Sequence, residues 1–193
     1  SHPAGRNLVE GLSGFNLIVP TGDDWRDLVM EIYGNQIEIH SRLSFSSENL
    51  NLDYLRNLMA QIPDGFRVQR IDSKLATQIS DEVSSNLILA DVFKTPVDFV
   101  EHGIGFCAIT GGRAVCAATS AVICDGAIEI QINTNKPYRR MGLATAVGAT
   151  LIVHCLEHGI EPHWDTSNPV SENLAKKLGY IPDTNYEWLE LDQ

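Results

Sequence analysis

The stretch from residue 127 to residue 156 constrains the fold more than any other part of this 193-residue chain. It begins Ala-Ile-Glu-Ile-Gln-Ile-Asn, in which isoleucines alternate with polar residues, the period-two pattern of a strand with one buried face. Beyond a short polar loop, apolar residues recur at helical intervals at Leu143, Val147, Leu151, Ile152, Cys155 and Leu156. The stretch therefore predicts a strand, a loop and a helix.

The loop before this helix reads Arg-Arg-Met-Gly-Leu-Ala, in which Gly142 and Ala144 are small. The first N–H groups of a helix lack intrahelical partners, and the helix dipole places partial positive charge there. Phosphate binds at such a terminus when the backbone can come close to it, which small residues permit. Lys136, Arg139 and Arg140 add positive charge, so the loop predicts a diphosphate-binding site.

Composition limits the class of protein. A hydrophobic content of 44% and a charged content of 20% are typical of a globular chain, of one domain or of one domain with a smaller appendage. The net charge of -11 argues against a general nucleic-acid or anionic-membrane surface. With no membrane-length apolar run and no signal peptide in view, we expect a cytoplasmic protein. The chain begins without Met, which leaves a preceding segment open.

The cysteines and histidines do not predict a metal site. The four cysteines are Cys107, Cys116, Cys124 and Cys155. None is in a C-x-x-C pair, and three lie in apolar, strand-like segments, so we expect buried reduced thiols, with a disulfide or zinc as the alternative. The histidines show no ligand spacing.

Residues 1–64 predict an α/β region without a chemical motif. A short strand is followed by a helix that Asp23 or Asp24 can cap and that Gly34 can end. An alternating strand over residues 36–45 and a second amphipathic helix complete the region.

The following residues predict a strand at 66–71, helical segments from 73 to 102, and three closely spaced β segments. The turns between the β segments read Gly-Gly and Asp-Gly, which are strong two-residue hairpin signals. After the long helix, a strand at 160–164, a helix from 168 to 177 and a strand at 186–191 complete the chain.

Two motifs indicate a family. The Walker and dinucleotide-binding strings are both absent. Arg139-x-x-Gly142-x-Ala144 instead resembles the Arg/Gln-x-x-Gly-x-Gly/Ala signature of the GCN5-related N-acetyltransferase (GNAT) family. Asn168, followed by Leu-Gly-Tyr180, resembles a second motif of that fold. Other segments, such as Trp-Asp at 164–165, are similar to a bacterial subgroup with an extra N-terminal region.

The resemblance implies an α/β (α+β) fold. Its sheet would be mixed, mostly antiparallel and splayed, with helices on its faces. Residues 65–193 would form the GNAT acetyltransferase domain, and residues 1–64 a small α/β N-terminal extension. The strand ending near Asn133 would separate from the strand beginning near Ile160.

The resemblance also implies acetyl-CoA as cosubstrate and no metal. Backbone groups on the strand would pair with the pantetheine amides as an added strand does. Backbone N–H groups of the loop would hold the pyrophosphate. The expected coenzyme-binding residues are Gln131, Ile132, Asn133, Arg139, Arg140, Met141, Gly142, Leu143, Ala144, Thr145 and Asn168.

Direct acetyl transfer to an amine of a small molecule or peptide is the implied reaction. Glu129 is the expected general base, which requires that partial burial raise its pKa. A solvent-facing carboxylate is the alternative. The backbone N–H of Ile132 is the candidate to polarise the thioester carbonyl.

The proton donor departs from the family pattern. Many members have Tyr seven residues after the motif Asn, where this chain has Ala175. Ser171 is the expected substitute, with Tyr138, Tyr180 or a water as alternatives. The missing tyrosine also leaves open a non-catalytic acyl-CoA-binding or sensing module.

Trp164 and Asp165 are the expected acceptor-binding residues, because they end the strand that would line the cleft. Asp165 would attract a cationic amine, and Trp164 would pack on it. The alternative places Trp164 in the core and Asp165 in a helix-capping loop. We expect no nucleic-acid or membrane partner, and a homodimer remains open.

Overall fold

The protein is described by a computed structural model for residues 3–11, 17–81, 93 and 95–191. Within these residues, eight strands form one sheet. The strands are β1 (Leu17–Ile18), β2 (Ile37–Ser46), β3 (Arg67–Arg70), β4 (Gly105–Thr110), β5 (Arg113–Cys124), β6 (Ala127–Thr134), β7 (Glu161–Thr166) and β8 (Ile181–Leu191). Their spatial order is β1-β8-β2-β7-β6-β5-β4-β3.

Seven α-helices within the same residues cover the sheet. They are α1 (Pro3–Glu10), α2 (Asp23–Tyr33), α3 (Leu52–Met59), α4 (Ser73–Asp81), α5 (Pro96–His102), α6 (Leu143–Glu157) and α7 (Pro169–Leu178). A 3-10 turn at Lys136–Tyr138 lies between β6 and α6.

The sheet opens between β6 and β7, its one parallel pair among the described strands. These strands pair only from Ala127 to Glu129, opposite Glu161 to His163. Past that point β7 pairs on its other side with β2, with Trp164 opposite Phe45 and Thr166 opposite Leu43. The sequence prediction that these two strands separate is therefore confirmed.

Strand β2 comes from the N-terminal region and lies inside the sheet. It pairs with β8 from Ile37 to Ser46 and with β7 on its opposite side. The division at residue 64 stays a prediction, but a division there would cut through a continuous sheet.

The helices pack on both faces of the sheet. On one face, α3 and α6 bury a core that includes Leu55, Ile128, Val147 and Leu151. On the other face, α4 and α5 cover β4 and β5 through a second cluster that includes Ile79, Phe99, Cys107 and Ile109. A third, smaller cluster joins α1, α2 and β8 and includes Val9, Val29 and Leu189.

Helix α6 lies unusually close to β6 at one glycine. A Cβ added at Gly148 would lie 2.7 Å from Cδ1 of Ile132, a separation that side chains do not tolerate. The close approach fixes the N-terminal half of α6 against the open edge of β6. It also shows that Ile132 points toward α6, so Glu129 and Gln131 point to the opposite face.

The mixed, mostly antiparallel α/β architecture predicted from the sequence is confirmed. Of the helical segments predicted from 73 to 102, the structure shows α4 up to Asp81 and α5 from Pro96 to His102, and residues 82–92 and 94 lie outside the described residues. Strand β8 begins at Ile181, before the predicted start at residue 186, because it pairs with β2 along its whole length. Pro182 fits there because β1 pairs only farther along, leaving one edge of β8 unpaired.

Candidate active site

The loop between β6 and α6 has the open form that an anion-binding site needs. Arg140 and Gly142 both have positive φ, at 62° and 86°. Gly142 is the N-cap of α6, and no side chain caps the helix there. The first backbone hydrogen bond of the helix runs from the Ala146 N–H to the Gly142 carbonyl. The N–H groups of the first turn are therefore without a side-chain cap at an exposed terminus.

Space and charge at this loop suit a diphosphate. A Cβ added at Gly142 would meet no atom within 4 Å, so the approach to the backbone is open. Met141 is 44% exposed, whereas Leu143 and Thr145 are buried and anchor the first turn. Lys136, Arg139 and Arg140 are exposed around the opening.

One of these cations also orders the loop. The Arg139 Nε donates a hydrogen bond of 3.0 Å to the Thr134 carbonyl at the end of β6. This bond joins the end of the open strand to the loop, so it holds the two predicted coenzyme-binding segments together.

The edge of β6 beside the opening is available to a ligand. From Ile130 to Thr134, β6 pairs with β5 on one side, and no described strand pairs with its other side. The register with β5 shifts between Ser120 and Val122, which makes Ala121 an extra residue where the sheet opens. Gln131, Ile132 and Asn133 thus lie where the sequence predicts pantetheine binding.

Glu129 lies on β6 where the strands separate. Its Oε1 accepts a hydrogen bond of 3.1 Å from the backbone N–H of Asp165. Burial raises the pKa of Glu129 to about 7, and the nearby Asp165 carboxylate adds to the rise, while Arg42 opposes it. The raised pKa that general-base catalysis requires is thus present, although the role itself remains a prediction.

Two side chains that the sequence analysis did not predict hold Asp165 in place. Its carboxylate accepts hydrogen bonds from the Arg42 guanidinium and the Tyr186 hydroxyl. Burial and the Asp165 carboxylate raise the pKa of Tyr186 well above its ordinary value, so this phenol stays protonated. Arg42 lies on β2 and Tyr186 on β8, directly opposite each other.

Their contribution had only a weak sequence signal. Arg42 and Tyr186 occupy polar positions in predicted strands, but the pairing of β2 with both β7 and β8 brings them to Asp165. That pairing joins residues 123 positions apart, which no local pattern shows.

The structure places Trp164 in the core. It is 4% exposed, and its ring packs against Tyr180 with centroids 5.5 Å apart. Its indole N–H donates to Ser171 Oγ at 3.2 Å. Little of this ring is left to contact an acceptor, so the structure favours the alternative that places Trp164 in the core, and the acceptor contact of Asp165 stays a prediction.

Asn168 is the N-cap of α7. Its Oδ1 accepts a hydrogen bond of 2.9 Å from the Ser171 N–H, and its own N–H donates to Thr166 Oγ1 at 3.1 Å. A coenzyme contact of Asn168 stays a prediction.

The candidate proton donors differ in their surroundings. Ala175 is fully buried, so the position of the family tyrosine is filled by core packing. The Tyr180 hydroxyl donates to the Pro162 carbonyl at 2.9 Å from a buried site. Tyr138 packs edge-on against Phe66, with centroids 6.1 Å apart. Ser171 accepts from Trp164, which leaves its hydroxyl hydrogen free to donate.

The described residues hold no cluster of metal-ligating side chains and no helix long and apolar enough to cross a membrane. The four cysteines are free thiols, with Cys107, Cys116 and Cys155 buried and Cys124 exposed. The predicted burial of the thiols is therefore confirmed for three of the four cysteines and is wrong for Cys124.

A family model described as GNAT acetyltransferase matches residues 7–189. The chain belongs to the GNAT acetyltransferase family. The match includes most of the N-terminal region as well as the loop between β6 and α6, which agrees with the position of β2 inside the sheet.

A curated relative supports the assignment to the GNAT family. The chain is 30% identical over 169 residues to the "Uncharacterized N-acetyltransferase YdfB" of Bacillus subtilis (strain 168), covering 86% of this chain. The aligned part spans 62% of that relative's length.

Solved structures also share the GNAT architecture. A GCN5-related N-acetyltransferase-like protein from Streptococcus suis 89/1591 is 31% identical, with a TM-score of 0.80 over 96% of this chain and 75% of that chain. A structure from Novosphingobium aromaticivorans DSM 12444 has 14% identity and a TM-score of 0.63. The match covers 98% of this chain and 81% of that chain, and it shows a similar fold.

Proposed function

We propose that this GNAT protein is an acetyl-CoA-dependent N-acetyltransferase that transfers acetyl directly to an amine of a small molecule or peptide. The observation that carries the proposal is the position of Glu129, whose pKa is raised to about 7, at the point where the sheet opens. A carboxyl group with this pKa is partly ionised near neutral pH and suits a general base. Family membership and the relative named an N-acetyltransferase support the same reaction.

Acetyl-CoA binds along the open edge of β6 and the start of α6. The first-turn N–H groups of α6 and the loop cations bind the pyrophosphate, because a helix N-terminus attracts phosphate. The backbone groups of Gln131, Ile132 and Asn133 pair with the pantetheine arm as an added strand. No metal is needed, since the thioester is already activated and backbone N–H groups can polarise its carbonyl.

The transfer uses the residues that face the opening. Glu129 accepts a proton from the acceptor ammonium or amine, directly or through water. The amine nitrogen attacks the thioester carbonyl carbon, a carbon–nitrogen bond forms, and the carbon–sulfur bond breaks. Charge on the carbonyl oxygen is stabilised by the Ile132 N–H, and the departing thiolate takes up a proton.

Ser171 is our choice for the group that assists the thiolate. Its Oγ already accepts from the Trp164 indole, so its own hydrogen can be donated. It lies in the first turn of α7, at the positive end of that helix, where a developing negative charge is favoured.

A non-catalytic acyl-CoA-binding module is the second candidate. It is favoured by Ala175, whose full burial leaves no side chain there to protonate the thiolate. In that case the same loop binds the coenzyme, but acetyl is not transferred.

Turnover separates the two candidates. The purified protein is incubated with acetyl-CoA and a broad set of amines, and release of coenzyme A thiol is followed. We expect amine-dependent release that is strongly reduced in Glu129→Gln. Tight binding of acetyl-CoA without release for any amine would favour the binding module, and no binding of coenzyme A would contradict both.

A further inference from the structure

Strand β2 has a free edge although it lies inside the sheet. It pairs with β8 from Ile37 to Ser46, but with β7 only from Leu43 to Phe45. Within the described residues, the stretch from Glu38 to Arg42 makes backbone hydrogen bonds with β8 alone. Alternate backbone N–H and C=O groups of this stretch therefore point away from β8 without a partner in the described part of the chain.

The free stretch is accessible to solvent. Glu38, Ile39 and Ser41 are exposed, and Ile39 is 41% exposed although its strand has neighbours on both sides in the sheet order. Native proteins usually cover or block a free strand edge, because another extended chain can pair with it. An added strand is therefore a ligand that this stretch can accept.

The free stretch begins beside the candidate active site. Its last residue, Arg42, binds the carboxylate of Asp165, and the backbone N–H of Asp165 donates to Glu129. A segment that pairs antiparallel to β2 starts at the Leu43 end and continues the direction of β7, which is itself antiparallel to β2. The amino terminus of such a segment is then the end nearest Glu129.

The sheet leaves room for the coenzyme and for such a segment. The pairing of β6 with β7 ends at Glu129, whereas β7 continues to Thr166, the partner of Leu43. At that level β6 is therefore more than two strand spacings, or about 10 Å, from β2. The gap is wider than one added strand needs, so the pantetheine arm can follow β6 while a second extended chain follows β2.

The charges beside the free stretch favour a basic segment. Glu38 and Glu190 lie directly opposite each other on β2 and β8, and like charges in that position repel. The Glu38 side chain is 70% exposed and the Glu190 side chain 45%, and His40 Nε2 lies 3.9 Å and 3.0 Å from their carboxylate oxygens. A Lys or Arg side chain would relieve this repulsion. A second copy of this chain, with its net charge of -11, would be repelled as a whole.

We propose that the acceptor is the amino terminus of an extended polypeptide that adds to β2 as an antiparallel strand and places a basic side chain beside Glu38 and Glu190. The first residues of the polypeptide pass Asp165 to bring the amine to Glu129, and the following residues pair with the free stretch. This inference rests on the proposed transfer at Glu129 and names its substrate class.

Strand geometry sets the position of the basic side chain. Glu129 is level with His163, three residues before the end of β7 at Thr166. Glu38 lies five residues before Leu43 on β2. At about 3.3 Å per residue, with one strand spacing of about 5 Å to cross, the basic residue is about eight residues from the amine.

Peptide acceptors test the proposal. The protein is assayed with acetyl-CoA and either alaninamide or ten-residue peptides that begin with Ala and continue with alternating Thr and Val. One peptide carries Lys at positions 7 and 9, another carries Lys at positions 6 and 8, and each has a counterpart with Glu instead of Lys. We expect kcat/KM for the better Lys peptide to exceed that of alaninamide and of its Glu counterpart at least about tenfold, the effect of one or two net hydrogen bonds and of reversed charges. The two Lys peptides should differ at least about threefold, because alternate side chains of a strand face opposite sides.

Glu38→Gln and Glu190→Gln remove the charges without touching the residues proposed to transfer acetyl. We expect each to raise KM for the better Lys peptide about threefold to fivefold and to leave kcat and the rate with alaninamide unchanged. The loss should shrink at high salt, which screens exposed charges. Asp125→Asn, in the exposed turn between β5 and β6 where Asn is as suitable as Asp, is the control and should change neither acceptor.

N-methylation of the peptide, one residue at a time, tests the strand pairing. An added strand directs every second N–H to its neighbour. We therefore expect losses of about tenfold in kcat/KM at alternate residues between positions 4 and 8, and little change at the residues between them. Binding of the same peptide should also slow amide hydrogen exchange within residues 38–42.

Binding distinguishes the failure of this inference from the failure of the proposed transfer. Peptides labelled at their C-terminus are titrated with protein saturated with coenzyme A, and fluorescence anisotropy is followed. If no amine is acetylated but the better Lys peptide binds at least about tenfold more tightly than its Glu counterpart, with losses at alternate N-methyl positions, the proposed enzyme fails while the ligand class stands.

Other results would overturn the inference. Acetylation of alaninamide as efficiently as of any peptide would leave the enzyme in place and remove the polypeptide acceptor. The same conclusion would follow from no binding of any peptide, from equal losses at every N-methyl position, or from equal losses with alaninamide and the Lys peptide in Glu38→Gln.

Discussion

The loop before α6, which we propose binds the coenzyme, and the proposed acceptor face around Glu129 and Asp165 are assembled in opposite ways. The loop takes its character from consecutive backbone groups around Arg140 and Gly142, at the start of one helix. The acceptor face brings together Glu129, Asp165, Arg42 and Tyr186 from four different strands. The first site is local in the chain, and the second exists only in the folded sheet.

The difference predicts how each site responds to change. A backbone site depends on φ and on open space, so a bulky side chain damages it while the helix remains. A side-chain site depends on charges that set one another's pKa, so changes there should alter the pH dependence of the reaction. The two regions should therefore respond separately to substitution.

Replacing the base should have the largest effect. Glu129→Gln keeps an oxygen that can accept from the Asp165 N–H but removes proton uptake. We expect kcat to fall about 10²- to 10⁴-fold, the usual contribution of a general base, with affinity for acetyl-CoA little changed. Steady-state kinetics measure both. Glu161→Gln, an exposed carboxylate on the neighbouring strand β7, is the control, and an equal loss in that variant would remove Glu129 from its role.

Blocking the loop should affect binding and spare the fold. Gly142→Glu places a side chain and a negative charge in the space where a diphosphate would bind. We expect the calorimetric Kd for coenzyme A to rise at least about a hundredfold, since a favourable anion site becomes repulsive.

Gly159 offers a matched control at the other end of α6. It has a φ of 68° and open space around an added Cβ, as Gly142 does. Gly159→Glu should carry a similar backbone strain and retain coenzyme binding. Equal weakening in the two variants would show that strain, and not a blocked site, causes the loss.

Charge changes at the acceptor face should shift the pH profile in opposite directions. Glu129 must lose its proton to act, so kcat should rise as the pH increases through about 7. Asp165→Asn removes a charge that raises the Glu129 pKa, and Arg42→Met removes one that lowers it. We expect the pH at which kcat rises to be about one unit lower in the first variant and about one unit higher in the second. Shifts in the same direction would contradict the proposed network.

The smallest expected effect concerns stability. The pKa of Glu129 rises from an ordinary 4.5 to about 7 on folding. Between these pH values the folded protein binds more protons than the unfolded chain, so this group lowers stability as the pH rises to about 7. Glu129→Gln should therefore add about 1–3 kcal/mol to the free energy of unfolding at pH 8 and little near pH 4. Urea denaturation at the two pH values measures this, and an equal effect at both would reject the raised pKa.

Local patterns predicted most of the fold and the coenzyme loop. Alternation identified β6, the glycine turns identified the hairpins from β4 to β6, and helical spacing identified α6. Gly142 was expected to leave room for phosphate at the start of α6, and the open space around this residue fits that expectation. Each of these features is fixed by residues close together in the chain.

Long-range strand pairing explains the features that the sequence analysis did not predict. Insertion of β2 between β7 and β8 places Arg42 next to Asp165, and nothing near either residue in the chain indicates it. The same pairing extends β8 back to Ile181, before the predicted start at residue 186. The burial of Trp164 likewise follows from its packing on Tyr180 and not from its neighbours in sequence.

Amide hydrogen exchange with and without coenzyme A tests the central claim most directly. The account predicts that the coenzyme slows exchange at residues 131–133 and 141–145, with no change at the C-terminal end of α6 near Gly159. Unchanged exchange in both segments at a saturating coenzyme concentration, or slowing confined to another part of the protein, would contradict the claim that these backbone amides bind the coenzyme.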